Sequence, residues 1–288
     1  METKRQHYYP RCLLKHFAND NDMIHTYIIK ANKINNMKYV NACMRNYAYE
    51  SNDGIDNILE RILGKYESKI CPVIDYILKN FDSNSEIIIS KEDEDTLYQY
   101  MYLQFLRTDA GRIHFITLHE NLFSYKPRNK PIELNEIYTD ENQKKIDKFN
   151  RVFKQDDNLE KLLNAKTKPD NMNFHIAYST LNLITSDNPV IATDNWLQIM
   201  MPISPYLCIE FQDISMNSSK NLIVQFTQTK SRYLNEANIN TANYYVISNN
   251  LIDIKLNFYL YNRFNNSSWQ FKGPHFKENK DFKYKEQQ

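Results

Sequence analysis

The chain has 288 residues, of which 42% are hydrophobic and 25% charged, so it has the size and composition of a folded protein with a sizeable core. Its net charge of +1 excludes the strong overall basic field of many nucleic-acid-binding proteins, although a local basic patch is compatible with it. Its four glycines are placed so that no Walker loop, G-x-G-x-x-G fingerprint or G-x-S-x-G elbow can be written, and we expect no nucleotide cofactor motif.

The amino-terminal sequence METKRQHYYP lacks the apolar stretch of a secretory signal. No run of about 18 apolar residues is present, as a membrane-spanning helix would require. We therefore expect a cytoplasmic protein without membrane association. The cysteines are scattered and form no C-x-x-C pair, so we expect buried, reduced thiols and neither a disulfide framework nor a zinc site at Cys12, Cys43, Cys71 and Cys208.

The first part of the chain is predicted to contain a short helix, a β-hairpin and a long helix. Residues 7–20 indicate an extended start followed by a short helix. β-Branched and aromatic residues on both sides of an Asn-rich turn at residues 32–36 favour a hairpin. Apolar residues at helical spacing predict an amphipathic helix over residues 55–81, in which Pro72 should cause a kink or a restart.

A second long helix and a polar segment follow. Ser90-Lys91-Glu92-Asp93 has the form of a capping box before a helix over residues 95–123, with Gly111 as a possible break. Residues 124–172 are polar, with a weaker helical pattern at 141–165. We interpret them as an exposed helical excursion and not as a second domain.

From Phe174 onward the pattern changes to strands, interrupted by a helix near residues 229–244. Helices in the first half and strands in the second predict an α+β fold. The helical half should pack on a mostly antiparallel β-sheet formed by the second half and the amino-terminal hairpin. We expect a single domain over residues 1–272 and a disordered tail at 273–288.

The sequence SDNP interrupts two apolar strands at residues 186–189. Asp187 could ligate a metal or act as a base, and Ser186 and Asn188 could donate hydrogen bonds to an anionic group. The simpler interpretation is an Asx turn in which these side chains bond their own backbone and Pro189 starts the next strand. The local sequence alone favours the turn.

Glu60 and Glu67 lie along one edge of the apolar stripe of the helix at 55–81, since seven residues make close to two turns. Such an edge is where a carboxylate can be half-buried, and burial raises its pKa. A solvated flank is the alternative. His7 is a candidate acid, base or metal ligand, although a lone histidine more often serves only as a hydrogen-bonding residue.

Arg107 and His114 are seven residues apart and would share a helix face if Gly111 does not break the helix. This R-x6-H spacing resembles the signature of the HEPN ribonucleases, in which the two side chains act on a scissile phosphate within a dimer. The polar residue that usually follows the arginine is only loosely supplied by Thr108 and Asp109.

Taken in order, several segments resemble the bacterial domain-of-unknown-function 4238 family. HYYPRCLLKHF is similar to its opening H-Y-x-P-x-x-x-L-x-x-F, LERILGKYES to its E-x-x-L-x-x-x-E helix and QFLRT to its arginine segment. The pattern is completed by LITSDNPVI, by MPISP and by the late helix with Asn235 before NYYVIS. The chain departs from the family pattern at Ile203, where the usual residue is Leu, and residues 126–170 match no part of it. No activity follows from this resemblance. It implies that seven residues belong to one shared design: His7, Glu60, Glu67, Arg107, Ser186, Asp187 and Asn188.

The leading hypothesis is a hydrolase, namely a metal-dependent nuclease or phosphodiesterase that acts as a toxin or anti-phage effector. Glu67 and Asp187, with His7, would bind a divalent ion such as Mg²⁺ or Mn²⁺ or activate water, and Arg107 would neutralise a phosphate. Ser186, Asn188 and Asn235 would contact the substrate, with Glu60 as a further catalytic carboxylate.

Two alternatives are a metal-independent, HEPN-like ribonuclease that uses Arg107 and His114, and a non-enzymatic module that binds a nucleotide or a protein. The expected partners are nucleic acid or nucleotide, a second copy of the chain, or an antitoxin or other defence protein.

Overall fold

The computed structural model of the chain describes residues 4–126, 128, 131–155, 157–192, 196–216 and 219–255. The helices are α1 Arg11–Leu14, α2 Ile58–Asp82, α3 Lys91–Leu106, α4 Asp109–Glu120, α5 Leu134–Ile137, α6 Asp140–Phe153, α7 Asn158–Asn164 and α8 Gln228–Thr241. The strands are β1 Arg5–His7, β2 Met23–Ile28, β3 Lys33–Lys38, β4 Met44–Asn46, β5 Met172–Tyr178, β6 Thr185–Ser186, β7 Ile191–Ala192, β8 Gln198–Pro202, β9 Leu207–Asp213, β10 Ile223–Gln225 and β11 Tyr245–Ser248. The predicted tail at 273–288 lies outside the described residues.

The strands form three sheets. The largest has the order β10-β5-β9-β8-β7, and the second has the order β3-β2-β11-β6. All neighbours in these two sheets are antiparallel except β10 and β5, which are parallel. A short antiparallel pair joins β1 to β4. The α+β class, the amino-terminal hairpin β2–β3 and its pairing with a strand from the second half are therefore confirmed.

Alternation along the strands divides the largest sheet into two faces. Phe174 and Ile176 of β5 and Ile209 and Phe211 of β9 face the main hydrophobic core, which also contains the buried residues of α2 and α3. The other face packs on α8 through a smaller apolar cluster that includes Leu234. The helical half therefore covers one side of this sheet, and α8 covers part of the other.

Two predicted helix features differ from the structure. Helix α2 is one helix of 25 residues that includes Pro72, so no restart occurs there. The second long helix breaks at Thr108 and not at Gly111: Thr108 has extended backbone angles and its side chain accepts a hydrogen bond from the Gly111 N–H at the start of α4. Gly111 lies within the first turn of α4, where a Cβ atom would overlap the carbonyl of Phe105. The glycine permits the close approach of the two helix ends.

We expect Gly111→Ala to lower the free energy of unfolding by about 1–3 kcal/mol, because backbone atoms must shift to admit the methyl group. Urea unfolding followed by circular dichroism measures this change. Gly64→Ala is the matched control, since no atom lies within 4 Å of the added Cβ and the position is helical. Equal stability of the two variants would contradict the close contact.

The described part of the segment at 124–172 contains helices α5, α6 and α7, and the longest of them, α6, is not wholly exposed. Helix α6 buries Phe149 and Phe153, whose rings pack on Phe115 of α4. Asn150 of α6 accepts a hydrogen bond from the buried Arg112 at 2.8 Å. This part of the chain therefore contributes to the packing around α4.

The prediction for the cysteines was wrong in part. Cys12 of α1 and Cys71 of α2 form a disulfide, with their Cα atoms 6.0 Å apart. These residues are 59 positions apart, and only the packing of α1 on α2 brings them together. Cys43 and Cys208 are buried free thiols, as expected. Among the described residues, no helix combines the length and the apolar character needed to cross a bilayer.

Candidate functional site

Four of the predicted site residues meet near the amino terminus: His7 at the end of β1, Glu60 and Glu67 on α2, and Arg107 directly after α3. We call these four residues the His7–Arg107 cluster. The Arg107 Nη2 atom lies 2.9 Å from Glu67 Oε1, and the same nitrogen donates a short hydrogen bond to the His7 carbonyl. The Arg107 side chain is 1% exposed, whereas that of Glu67 is 30% exposed. Glu67 therefore connects a buried guanidinium to solvent.

Two further side chains contact the His7–Arg107 cluster and were not predicted. Tyr49, just after β4, donates its hydroxyl proton to the His7 carbonyl at 3.1 Å and accepts a hydrogen bond from Arg107 Nε at 3.1 Å. Arg11 lies on α1, and its Nε atom is 3.1 Å from His7 Nε2. Neither could have been found from spacing in the sequence. His7 lies in β1 and Arg11 in α1, so their separation of four residues is not that of neighbours on one helix, and the position of Tyr49 depends on the pairing of β1 with β4.

The Glu60 carboxyl has the environment expected of a functional acid. Burial raises its pKa to about 7; the nearby Glu67 and Glu50 carboxylates act in the same direction, and Arg107 and Arg11 act against them. Its Oε2 atom is buried and has no hydrogen-bond partner. A carboxyl with a pKa of about 7 is partly protonated at neutral pH.

The Nη1 atom of Arg107 is buried and forms no hydrogen bond of good geometry, although the guanidinium also interacts with the buried Tyr100 hydroxyl. A buried guanidinium donor and a buried carboxyl oxygen without well-formed hydrogen bonds are costly in a folded protein unless they serve a ligand or a bound water. Electrostatic interaction between Glu60 and Arg107 places both groups in one neighbourhood.

The Nε2 atom of His7 can serve as a hydrogen-bond donor or as an acceptor, depending on whether it carries a proton. This atom is 3.1 Å from the Val40 carbonyl oxygen and 3.1 Å from Arg11 Nε. The protonated ring donates to Val40, and the neutral ring can accept from Arg11, which always carries its proton. Burial lowers the His7 pKa below its usual value of 6.5, and the charges of Arg11 and Arg107 lower it further. The ring is therefore mainly neutral at pH 7.

Asp187 has a different set of contacts. Its carboxylate accepts hydrogen bonds from the backbone N–H groups of Asn243, Tyr244 and Tyr245, at 2.8–3.2 Å. Burial raises its pKa to about 7, although these N–H groups favour the ionised form. The side chain contacts none of the cluster residues, so the structure does not bring Asp187 into a pocket with His7 and the glutamates. Asp187 holds the start of β11 in place.

The other predicted substrate-binding residues fasten the SDNP segment to its surroundings. Ser186 Oγ accepts from the Asn188 N–H at 3.1 Å, so the serine, and not the aspartate, forms the local turn. The Asn188 side chain donates to the Thr241 carbonyl and to Asn243 Oδ1. Asn235 of α8 accepts from the Ile184 N–H at 3.0 Å and donates to the Asn182 carbonyl at 2.9 Å. None of the three lies in the His7–Arg107 cluster.

Arg107 and His114 are not brought to one site, because α3 ends before Arg107 and α4 begins after it. The His114 ring packs edge-on against Phe105 and Tyr125. It lines a separate cleft of about 400 Å³ between α4 and the α5–α6 region.

A second buried network, missed in the sequence, surrounds Asp109. Its carboxylate pairs with Arg112 at 2.5 Å and with Arg45 at 2.7 Å, and it accepts from the Tyr244 hydroxyl at 2.5 Å. The spacing of Asp109 and Arg112 on one helix was a usable signal for their pairing. Within the described parts of the chain, no three His, Cys, Asp or Glu side chains are arranged so that they could bind one metal ion.

The comparisons with known proteins add a family and nothing more specific. A model of the family described as "Protein of unknown function (DUF4238)" matches residues 5–251. No curated protein and no solved structure matches the chain. The matched range includes the whole His7–Arg107 cluster, the SDNP segment and Asn235. Because the match covers well over half of the sequence, the chain belongs to the DUF4238 family of proteins of unknown function.

Proposed function

We propose that the protein is a hydrolase that cleaves phosphodiester bonds, a nuclease or phosphodiesterase that acts as a toxin or defence effector. The observation that carries this proposal is the buried Glu60 carboxyl, with its pKa raised to about 7 and its Oε2 atom unpartnered, beside the Nη1 donor of Arg107, which forms no hydrogen bond of good geometry. A carboxyl group that is partly protonated at neutral pH is suited to general acid catalysis.

Arg107 supplies the binding group for a phosphate. Its planar fork matches two phosphate oxygens, and a buried guanidinium binds an anion more strongly than an exposed one. In the free protein the Glu67 carboxylate is paired with Arg107, with Glu67 Oε1 2.9 Å from Arg107 Nη2. Because Glu67 is part-exposed and Arg107 is not, a substrate phosphate reaches Arg107 by displacing the Glu67 carboxylate toward solvent.

Proton transfer involves His7 and Glu60. The neutral His7 Nε2 atom accepts a proton from the attacking water, whose oxygen forms a bond to phosphorus. The bond between phosphorus and the leaving oxygen breaks, and Glu60 donates its proton to that oxygen. The products are a phosphate monoester and an alcohol, and proton exchange with solvent restores both residues.

The donor set predicted for a divalent ion fits poorly. The Asp187 oxygens accept backbone N–H groups, and Glu67 is paired with Arg107. We therefore assign no step of the reaction to Mg²⁺ or Mn²⁺. The experiment below tests whether cleavage requires a divalent ion. The HEPN-like alternative requires Arg107 and His114 at one phosphate, and their different contacts disfavour it. A non-enzymatic nucleotide- or protein-binding module would use Arg107 without turnover.

The test is cleavage of labelled single-stranded RNA and DNA oligonucleotides by the full chain. We expect Glu60→Gln to reduce the rate at pH 7 at least about 100-fold, the usual contribution of a general acid. Glu86→Gln is the matched control, since Glu86 is exposed and lies outside the cluster. Expression of the wild-type protein in bacteria should reduce viability, and Glu60→Gln should relieve that effect.

Three outcomes would contradict the proposal. Loss of cleavage in EDTA with recovery in Mg²⁺ would favour the metal-dependent hypothesis. Loss of cleavage in His114→Asn but not in Glu60→Gln would favour the HEPN-like mechanism. Thermal stabilisation by an oligonucleotide without any cleavage would favour a binding module.

A further inference from the structure

The base of the proposed reaction is occupied in the free protein. Arg11 Nε lies 3.1 Å from His7 Nε2, the atom that takes the proton of the attacking water. An arginine always carries its protons, so Arg11 is the donor of this hydrogen bond and the neutral ring is the acceptor. The His7 lone pair therefore cannot accept a proton from water until the Arg11 side chain moves away.

The rest of the Arg11 guanidinium is available to a ligand. Arg11 is exposed on α1. Apart from the contact of its Nε atom with His7, the described part of the chain offers it no hydrogen bond and no carboxylate partner. Its two Nη groups therefore present N–H donors to solvent. This planar arrangement matches the oxygens of a phosphate.

The charges around Arg11 favour an anion. The guanidinium groups of Arg11 and Arg107 stand against the Glu67 carboxylate, while Glu60 is partly protonated at neutral pH. Electrostatic interaction of Arg11 with His7 and with Glu60 places it in the same neighbourhood. An excess of positive charge at the solvent side of a cleft raises the local concentration of anions.

Both arginines hydrogen-bond to the same residue. Arg107 Nη2 donates to the His7 carbonyl, and Arg11 Nε donates to the His7 ring. The two guanidinium groups are therefore separated by one histidine. A nucleic acid strand carries one phosphate per nucleotide, so a phosphate bound at Arg107 has a neighbour that can reach Arg11. An isolated phosphodiester has a single phosphate and cannot supply the second anion.

The backbone of Arg11 is held in place while its side chain is not. The next residue, Cys12, forms the disulfide with Cys71 of α2. Lys15, directly after α1, pairs with Asp75 of α2 at 3.0 Å. These contacts fix α1 against α2, so Arg11 can leave His7 by rotation of its side chain alone.

We propose that Arg11 binds the phosphate next to the scissile one, and that this binding draws the Arg11 Nε atom away from His7 and frees the base. The inference rests on the proposed function and names its substrate class: a nucleic acid strand with adjacent phosphates, and not an isolated diester. Glu67 blocks Arg107 in the same way until a phosphate displaces it. Each reactive group is thus covered by a part-exposed side chain that the substrate removes.

The first experiment compares cleavage of a trinucleotide, which has two phosphates, with that of a dinucleotide, which has one. Arg11→Met in the full chain should raise KM for the trinucleotide about 10-fold or more, because a charge-assisted hydrogen bond to the second phosphate is lost. The same change should raise kcat for the dinucleotide by about 2- to 10-fold, because no donor then covers the His7 lone pair.

Two further variants complete this comparison. Arg11→Lys keeps the charge without the planar fork and should recover part of the trinucleotide KM. Arg151→Met removes the charge of an exposed arginine on α6 and should match the wild type on both substrates. Opposite effects of Arg11→Met on the two substrates cannot arise from a general loss of folded protein.

Nitrogen NMR of the histidine-labelled full chain provides a readout that does not depend on cleavage. The charges of Arg11 and Arg107 lower the His7 pKa and that of Glu67 raises it, so Arg11→Met should raise this pKa. The trinucleotide is then added to the Glu60→Gln protein, in which turnover is blocked. It should move the His7 Nε2 resonance toward its position in Arg11→Met, and the dinucleotide should not.

Arg11→Met effects of the same sign on both substrates would overturn the proposal. A His7 Nε2 resonance that does not respond to the trinucleotide would also overturn it, and so would a wild-type preference for the dinucleotide. If the wild type cleaves neither probe, the proposed function fails. The His7 resonance still decides in that case whether a strand with adjacent phosphates removes Arg11 from His7.

Discussion

Asp187→Ala is expected to lower the free energy of unfolding by roughly 3–6 kcal/mol, because it leaves three backbone N–H groups without an acceptor in the interior. These N–H groups belong to residues 243–245, which lead into β11. Since β11 joins the amino-terminal hairpin to β6, the loss should loosen the whole four-stranded sheet.

Equilibrium unfolding in urea measures this loss. Asp187→Asn keeps one carbonyl acceptor and should lose less stability than the alanine variant. Asp20→Ala, an exposed aspartate, is the control and should differ from the wild type by less than about 0.5 kcal/mol. A loss below about 1 kcal/mol in Asp187→Ala would show that the carboxylate does not hold this segment.

Arg107→Met is the second change with a large expected effect. It removes the partner of Glu67 and the donors to Tyr49 and the His7 carbonyl, and breaking a buried ion pair typically costs about 3–5 kcal/mol. Part of this effect should come from the unpaired Glu67 carboxylate. Glu67→Gln combined with Arg107→Met should therefore be less destabilised than the sum of the two single changes.

The wild type, Arg107→Met, Glu67→Gln and the double variant form a double-mutant cycle. Urea unfolding of these four proteins gives the coupling free energy between Arg107 and Glu67. Because Glu67 is part-exposed, we expect a coupling near 1 kcal/mol and not the full cost of Arg107→Met. Arg107→Lys keeps the charge but not the planar fork, and should recover only part of the stability. Additive effects of the two single changes would argue against a direct pair.

Much of the fold and part of the site could be predicted because they depend on local patterns. The capping box at Ser90 and the apolar spacing around α2 depend on neighbours three to seven residues apart. The placement of Glu60 and Glu67 on one half-buried helix edge depends on the same periodicity. The surroundings of the Glu60 and Glu67 carboxylates then depend on which residues pack against that edge of α2.

The parts that could not be predicted depend on contacts between distant segments. The disulfide between Cys12 and Cys71 requires α1 to pack on α2, and the amides that bind Asp187 come from 56–58 residues further along the chain. The helix break differs from the prediction for a local reason. Thr108 is a good helix cap, and Gly111 is needed for the close approach of Phe105, not as a helix breaker.

The dependence of the cleavage rate on pH tests the central claim most directly, because it reports the protonation of Glu60 and His7 during turnover. The raised pKa of Glu60, about 7, predicts that the wild-type rate falls as pH rises through that value. The lowered pKa of His7 predicts a second fall on the acid side, below its usual 6.5. Glu60→Gln should lose the fall near pH 7 and retain the acid limb at a much lower rate. A wild-type profile that is flat from pH 6 to 8, or unchanged in Glu60→Gln, would contradict the assignment of Glu60 as the general acid.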